Sequence, residues 1–356
     1  MTAVADASPA PAAGRRPGRQ RPGGPAARRR AIGIALAAGA LLCVCLASIV
    51  LGSKPIPLAE VVDAFTDPGA GGENVRIVLD LRLPRTVTGI VVGVALGLAG
   101  AVIQALTRNP LGDPGLLGVD AGAAVFVTVG VVVFGTVTPL QDLAFAVAGA
   151  LVVTAAVAGI GSVRGVADPI RLTLAGIAVA AVLTGITTAL MLLNPDSFHR
   201  LQGWKAGTFV ERGWDVVLPV VPFLAASALL ALALARALNS VGLGEDAATA
   251  LGVNVARTRL LSVVAITVLA GGATAIAGPI AFVGLMVPHV ARWLIGPDQR
   301  RILLLSMLLA PTLVLASDVV GRLVLAPGEL PVGIVTAFVG APVLIALARR
   351  ARASAL

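Results

Sequence analysis

The chain has 356 residues, of which 57% are hydrophobic and 13% are charged, whereas an ordinary soluble domain has about 45–50% and 25%. This composition excludes a water-soluble globular protein. The net charge of +9 comes from arginines scattered at the ends of apolar runs, which argues against a nucleic-acid-binding face. Runs such as LTLAGIAVAAVLTGITTALMLL (172–193) are apolar all round, so the predicted membrane-crossing elements are helices and not alternating strands.

The two ends of the chain are basic and differ from its apolar middle. Residues 1–30 are rich in Pro, Ala, Gly and Arg, bury almost no apolar surface, and are expected to form a disordered cytoplasmic tail. A cleaved signal peptide is the alternative, but the run over 31–52 reaches spanning length without a convincing cleavage site. We therefore expect a transmembrane domain over 31–350 and a cytoplasmic C-terminal tail over 351–356.

Apolar runs bounded by charges or by Gly and Pro predict an all-α polytopic membrane protein with ten transmembrane helices. The eighth run is short and contains Pro288, His289 and Arg292, so it is expected to be a half-helix that faces protein rather than lipid. The predicted spans are 31–52, 86–107, 115–136, 143–162, 172–193, 216–235, 260–281, 282–296, 302–324 and 330–348.

The arginines and lysines predict the orientation of these spans. With an inside N-terminus and ten crossings, 19 of the 27 basic residues lie in inside segments or at the inner end of a span, and 8 lie in outside segments or at the outer end of a span, as the positive-inside rule requires. An odd number of spans would place the basic C-terminal region outside. We therefore predict a protein of the cell membrane with both termini in the cytoplasm.

The sequence lacks the motifs that would power transport or catalysis within this chain. A phosphate-binding loop needs G-x-x-x-x-G-K-[ST], but the two lysines, Lys54 and Lys205, follow a Ser and a Trp. The two histidines are too far apart in the chain to argue for a metal site or a catalytic triad. No catalytic residue, metal or cofactor is predicted.

Two carboxylates, Asp120 and Asp318, fall inside the predicted spans. Ion-coupled transporters place such groups near the membrane midplane. Asp120 is expected near the inner surface, and Asp318 near the outer end of the ninth span, close to Arg322. Neither has an obvious cationic partner in the sequence, so structural roles at helix ends are favoured for both.

Three stretches carry more polar, Gly and Pro residues than membrane crossing requires. The first stretch covers 81–123, and in it Gly93 and Gly97 form a G-x-x-x-G pattern that lets another helix approach closely. It also contains a tight inner turn over 109–114. The third, 277–301, is interrupted by glycines and prolines, as in an irregular helix packed against protein or lining a pathway.

The second stretch, 238–260, is the longest polar inside segment after the N-terminal tail. Its GEDAATALG core can form a short helix with Glu245 and Asp246 in the first turn, where acids complement the helix dipole. Gly252 would end that helix as a C-cap. A docking site for a cytoplasmic partner and an ordinary solvated loop both fit this pattern.

In this order, these motifs resemble the permease subunits of the iron-siderophore and cobalamin class of ATP-binding-cassette (ABC) importers, the FecCD family. The resemblance covers roughly residues 32–350, and the family fold has ten transmembrane helices per subunit, which agrees with the charge-based count. The motifs are LRLPR (81–85), QALTRNPLGDPGLLGVDAGA (104–123), GEDAATALGV (244–253), GPIAFVGLMVPHVAR (278–292), Gly321-Arg322 and ELPVGIVTAFVGAPVLIALARR (329–350).

The resemblance implies partners and supplies the missing energy source. Family members work as a permease homodimer or heterodimer in the lipid bilayer, with two cytoplasmic ATPase subunits and an extracellular substrate-binding protein. By motif, the segment 238–258 would contain the coupling helix that contacts the ATPase, and the inner turn would narrow the pathway at its cytoplasmic side. The residues implied are Arg82, Arg85 and Arg322 for binding-protein docking, Gly244, Glu245, Ala247, Leu251 and Gly252 for ATPase coupling, and Asn109, Pro110 and Leu111 for the gate.

The favoured function is therefore import of an iron-loaded siderophore by alternating access. A cobalamin or haem importer, which would use the same scaffold, is the nearest alternative. An ion-coupled secondary transporter is the more distant alternative, because the spans lack a paired midplane carboxylate.

Overall fold

The computed structural model describes residues 25–67, 72–136, 138–163, 166–167 and 169–353. A π-helical turn, Ile77–Arg82, leads into α4, a 3-10 turn, Pro114–Leu117, precedes α5, and Ser162–Val163 pairs antiparallel with Val166–Ala167. The helices are α1 (Pro25–Val50), α2 (Leu58–Thr66), α3 (Glu73–Arg76), α4 (Leu83–Thr107), α5 (Val119–Phe134), α6 (Pro139–Ile160), α7 (Pro169–Leu193), α8 (Pro195–Lys205), α9 (Trp214–Val217), α10 (Val221–Gly242), α11 (Glu245–Ala250), α12 (Val255–Ala277), α13 (Val283–Ile295), α14 (Gln299–Val324) and α15 (Val332–Ala353).

Ten of these helices correspond to the ten predicted spans. Seven helical segments are long and apolar enough to cross a membrane, and α5, α13 and the stretch Val332–Ala346 of α15 are shorter apolar helices. The all-helical membrane fold is thereby confirmed. The sixth span is displaced, since α10 covers Val221–Gly242 where 216–235 was predicted. The short helices α2, α3, α8 and α9 were not predicted.

The predicted tails lie mostly outside the described residues. Residues 1–24 are not described, and 25–30, which we assigned to the N-terminal tail, form the first turns of α1. At the other end α15 continues through 351–353, and 354–356 lie outside the described residues. The boundaries of the helical bundle therefore extend beyond those expected at both ends.

Helix α4 occupies the centre of the bundle and packs against α10, α12, α13 and α14. The predicted G-x-x-x-G contact is confirmed on the side of α14. A Cβ atom at Gly93 would lie 2.6 Å from the backbone nitrogen of Pro311, and one at Gly97 would lie 2.9 Å from the carbonyl oxygen of Ser306. The two backbones thus meet at a distance that only glycine permits.

Helix α5 begins deep in the bundle, which corrects the expected position of Asp120. The hydroxyl of Thr274 donates a hydrogen bond to Asp120 Oδ1 at 2.6 Å. Val255, the first residue of α12, lies at the predicted inner end of that helix. At 1.5 Å per residue, Thr274 lies about 28 Å further along α12. The prediction that Asp120 lies near the inner surface is wrong, because the chain turns back into the bundle after α4 and places Pro114 against Gly284 of α13.

Helix α13 is the short eighth element that the sequence predicted, with 13 residues and Pro288 inside it. It follows a non-helical stretch after Gly278, and Phe282 at its N-cap has a left-handed backbone (φ 68°). Seven of its 13 residues are buried, and the helix packs against α4 and α14. Irregular backbone is tolerated here because protein, and not lipid, surrounds it.

Candidate functional site

The three arginines implied in docking lie together around one cavity at the N-terminal end of α4. The cavity has a volume of about 590 Å³ and is lined by Arg82, Arg85 and Arg322, together with Lys54 and Glu329 among others. Arg322 comes from the last turn of α14. Two helices that run in opposite directions therefore bring basic residues far apart in the chain to the predicted outer face.

Arg82 and Arg322 use their guanidinium groups to bind the end of α1. Arg82 Nη1 donates to the carbonyl oxygens of Ile49 (2.9 Å) and Val50 (2.6 Å). Arg322 Nη1 donates to those of Ser48 and Leu51, both at 3.0 Å. The last carbonyls of a helix have no partner within it, and these two arginines supply the missing donors.

Two of the three arginines implied in docking are buried. Arg82 is 5% exposed and Arg322 is 2% exposed, so both are part of the cavity wall rather than its edge. The Arg85 side chain is 13% exposed. Docking of a binding protein by all three residues stays a prediction, in which Arg85 is the most accessible of the three.

Asp318 joins two of the arginines in a buried ion-pair network. Its Oδ1 lies 2.7 Å from Arg85 Nη2, and its Oδ2 lies 2.8 Å from Arg322 Nη2. Arg85 Nη1 is also 2.7 Å from Glu329 Oε2. The expected proximity to Arg322 is confirmed. The Arg85 partner was missed because 233 residues separate it from Asp318, although both were placed at the predicted outer end.

The coupling segment forms a short helix at the other end of α4. Helix α11 has Glu245 and Asp246 in its first turn, as predicted, and is flanked by Gly244 (φ 112°) and Gly252 (φ 79°). These backbone angles favour glycine. Leu251 is 64% exposed and Ala247 is half-buried, so the helix presents a small apolar surface outside the bundle.

Glu245 connects α11 to the rest of the inner end. Its Oε1 forms an ion pair with Arg259 of α12, whose side chain is buried, and lies 3.6 Å from Arg108 Nη2. Arg108 is the residue that ends α4, with a left-handed backbone (φ 51°). Helix α11 is therefore in contact with both α12 and the turn that follows α4.

That turn contains the three residues implied in the cytoplasmic gate. The side-chain oxygen of Asn109 accepts a hydrogen bond from the backbone N–H of Leu111 at 2.9 Å, a common way for Asn to stabilise a turn. Asn109, Pro110 and Leu111 are exposed. The tight inner turn is confirmed, and its role as a gate stays a prediction.

Asp113, just after this turn, has a carboxyl group withdrawn from water. Burial, assisted by the nearby charge of Asp120, raises the pKa of Asp113 to about 6, although the backbone N–H of Gly115 donates to its Oδ1 at 2.8 Å. The folded state therefore holds this proton more tightly than the unfolded state, and stability contributed by the protonated form is lost as pH rises through 6.

We expect Asp113→Asn to be at least as stable as the wild type at pH 7, because the amide oxygen can still accept from Gly115 without carrying a charge. The advantage of the variant should shrink as the pH falls from 7 to 5, where the wild-type carboxyl becomes protonated. Melting temperatures in detergent over this pH range measure the difference between the two proteins. A difference that does not change with pH would contradict the assignment.

No candidate metal centre is found in the part of the chain that the structure describes. No three His, Cys, Asp or Glu side chains are grouped there as metal ligands. Cys43 and Cys45 lie on α1, where Cys43 is exposed on the apolar surface. The candidate functional features are the basic cavity at one end of α4 and the exposed α11 at the other.

Comparisons with known proteins show the family to which the chain belongs. The ferric enterobactin permease FepD of Escherichia coli is 53% identical over 305 residues, which cover 85% of this chain and 90% of FepD. The Fe(3+)-citrate import permease YfmD of Bacillus subtilis is 40% identical over 282 residues, covering 79% of this chain and 84% of its own. An inward-facing structure of a metal-chelate type ABC transporter matches with a TM-score of 0.78 and 25% identity, over 90% of this chain and 99% of the other. The profile of the FecCD transport family matches residues 40–350, and the chain belongs to that family of transport proteins.

Proposed function

We propose that the chain is the transmembrane permease subunit of an ABC importer that carries iron-siderophore complexes into the cytoplasm. The observation that carries this proposal is the 53% identity to a ferric enterobactin permease across 90% of that protein. ATP is hydrolysed in partner subunits, since the sequence contains no phosphate-binding loop.

Uptake of radiolabelled ferric siderophore tests this function in cells with and without the chain. We expect its removal to abolish ATP-dependent iron uptake and to leave cobalamin uptake, measured in parallel, unchanged. Loss of cobalamin uptake instead would identify cobalamin as the substrate. Iron uptake that persists after ATP depletion would contradict the assignment as an ATP-driven importer.

The proposed assembly contains a second permease subunit, two cytoplasmic ATPase subunits and an extracellular binding protein. Both termini are proposed to face the cytoplasm of a cell-membrane protein, because 19 of the 27 basic residues fall in predicted inside segments or at the inner end of a span. In this orientation α11 faces the ATPase and the cavity around Arg85 faces the binding protein. The two contacts then lie at opposite ends of α4, a helix of 25 residues and about 37 Å.

We propose that α11 is the coupling helix and that its exposed face, with Ala247 and Leu251, contacts the ATPase. Leu251→Asp is expected to release the ATPase and to abolish uptake, because a carboxylate would have to be buried without a partner in that contact. The chain itself should remain folded, since Leu251 is 64% exposed. Co-purification of the ATPase with the permease measures the effect.

Leu58→Asp is the matched control. Leu58 is 63% exposed on α2, close in sequence to the end of α1 that Arg82 and Arg322 bind. The Leu58→Asp variant should retain the ATPase. Normal ATPase binding and uptake in the Leu251→Asp variant would show that α11 is not the contact with the ATPase.

The inner turn Asn109–Leu111 is proposed to narrow the pathway on its cytoplasmic side. Its support is the contact between Arg108, which precedes the turn, and Glu245 of α11. A displacement of α11 by the ATPase would reach the turn through that contact. The turn and α11 are therefore proposed to move together during transport.

We propose that the outer cavity receives acidic side chains of the binding protein, with Arg85 at its opening and Arg82 and Arg322 in its wall. Charge complementarity of this kind sets the register and the rate of encounter. Arg85→Ala is expected to weaken binding of the purified binding protein by about tenfold. The melting temperature of the variant is measured in parallel, because Arg85 also pairs with Asp318.

Arg76→Ala is the control for docking, since Arg76 is exposed next to this region but does not line the cavity. It should bind the partner as the wild type does. Equal affinities for the Arg85 and Arg76 variants would leave the outer cavity without a role in docking.

A further inference from the structure

A second basic cavity lies at the opposite end of α4, beside the proposed gate, because Arg108 and Pro110 also line it. It has a volume of about 770 Å³ and lies between the ends of α4, α10 and α13 and the start of α14. Its charged lining consists of Arg108, Arg292 and Arg301 against one carboxylate, Asp298. The cavity therefore has a net positive charge at the predicted inner face of the membrane.

Arg292 is held at the wall of this cavity without a carboxylate partner among the described residues. Its Nη2 donates to Gln104 Oε1 at 3.5 Å. Gln104 is 2% exposed and is itself fixed, since its Nε2 donates to the carbonyl oxygen of Leu285 at 2.8 Å. A guanidinium group has five N–H donors in a planar fork, so Gln104 orients it while leaving donors for a ligand.

His289 adds a second group that needs a partner. It lies one helical turn before Arg292 and also lines the cavity. Its Nδ1 is buried and has no hydrogen-bond partner in the part of the chain described, and the ring packs edge-on against Trp293 with centroids 5.2 Å apart. A buried polar atom without a partner is unfavourable, and an anionic oxygen in the cavity would satisfy an N–H at this position.

The carboxylate in the cavity is already engaged. Asp298 Oδ1 accepts from Asn239 Nδ2 and from the backbone N–H of Arg300, both at 3.0 Å. Its Oδ2 lies 3.4 Å from Arg301 Nε. Asp298 therefore compensates Arg301 and leaves the charge of Arg292 uncompensated.

The surface beside the cavity is apolar, which indicates the source of the anion. Trp293, Leu294 and Leu304 are each more than half exposed, as expected for side chains that contact acyl chains. Tryptophan is enriched at the level of the headgroups. Basic pockets between transmembrane helices on the cytoplasmic side bind anionic headgroups.

We propose that this inner cavity binds the phosphate group of an anionic phospholipid of the inner leaflet, with Arg292 and His289 as its ligands. Arg292 would supply charge-assisted hydrogen bonds to two phosphate oxygens, and a rotation of the His289 ring would bring its buried Nδ1 to a third. The acyl chains would lie against the exposed apolar surface of α13 and α14. This site does not depend on which substrate the protein transports.

The test is a binding titration of the purified, delipidated full-length chain with short-chain phosphatidylglycerol, phosphatidylcholine and inorganic phosphate. We expect phosphatidylglycerol to bind at least about tenfold more tightly than phosphatidylcholine, and Arg292→Gln to remove that preference. Arg300→Gln is the matched control, because Arg300 is exposed next to the cavity but does not line it. It should retain the preference.

A second measurement uses the wild-type chain and does not depend on the folding of a variant. Phosphatidylglycerol with a photoreactive headgroup should label the peptide 283–301 in membranes, both in the free permease and in the assembled complex. Three results would overturn the proposal: equal effects of the Arg292 and Arg300 variants, competition by inorganic phosphate as strong as that by the lipid, or loss of labelling once the ATPase is bound. The last would assign the cavity to an acidic side chain of the partner.

Discussion

Replacing Asp318 by Asn should destabilise the protein by about 3–5 kcal/mol, the cost of removing one partner from a buried ion pair. Asp318 is 1% exposed and contacts both Arg85 and Arg322. Without its charge, two guanidinium groups would face each other with Glu329 as their remaining acidic partner in the described structure. The end of α1 would also be weakened, because Arg322 binds it.

The free energy of unfolding, measured by titration with a denaturing detergent, checks this prediction. Glu73→Gln is the control, since Glu73 forms an exposed ion pair with Lys54, and exposed pairs contribute about 0–1 kcal/mol. Adding Arg85→Gln to Asp318→Asn should recover part of the loss, because one uncompensated charge is removed. Equal stability of the Asp318 and Glu73 variants would show that the network contributes nothing.

Replacing Gly100 by Leu should have a comparable effect through packing alone. A Cβ atom at Gly100 would overlap the backbone carbonyl of Gly284, so α4 and α13 cross with their backbones in contact. Overpacking of a core costs about 1–3 kcal/mol and occasionally more. We expect the upper end, because the obstacle is backbone that cannot change rotamer.

Gly39→Leu on α1 is the control for this substitution. Gly39 is exposed, and no atom lies within 4 Å of the position that its Cβ would take. The amount of folded protein in membranes and the melting temperature in detergent should fall for the Gly100 variant and stay unchanged for the Gly39 variant. A Gly100 variant with normal stability would mean that the crossing can open without cost.

The number of spans was predictable because the length of an apolar run and its flanking charges are local properties. The short eighth helix was also predictable, since Pro288 and Arg292 interrupt its hydrophobic pattern. The depth of Asp120 in the membrane was not predictable, because it depends on the path of the turn after α4, which re-enters the bundle and contacts Gly284.

The candidate site was predictable by residue type but not by pairing. The three arginines share one cavity, as their predicted outer position suggested. The contact of Arg85 with Asp318 joins residues 233 positions apart, and that of Arg322 with Ser48 joins residues 274 positions apart. No periodicity in the sequence encodes such contacts. The burial of Arg82 and Arg322 follows from these pairings and was missed with them.

The attachment of Arg322 to the end of α1 also has a consequence during synthesis. The arginine is made 274 residues after Ser48, whose carbonyl oxygen it binds. At 5–20 residues per second this separation corresponds to roughly 14–55 s. During this interval α1 is in the membrane, and the carbonyl oxygens that Arg322 binds lack this donor until the ninth transmembrane helix is made. A chain interrupted before α14 would lack this connection, and its exposed carbonyls would distinguish it from the complete protein.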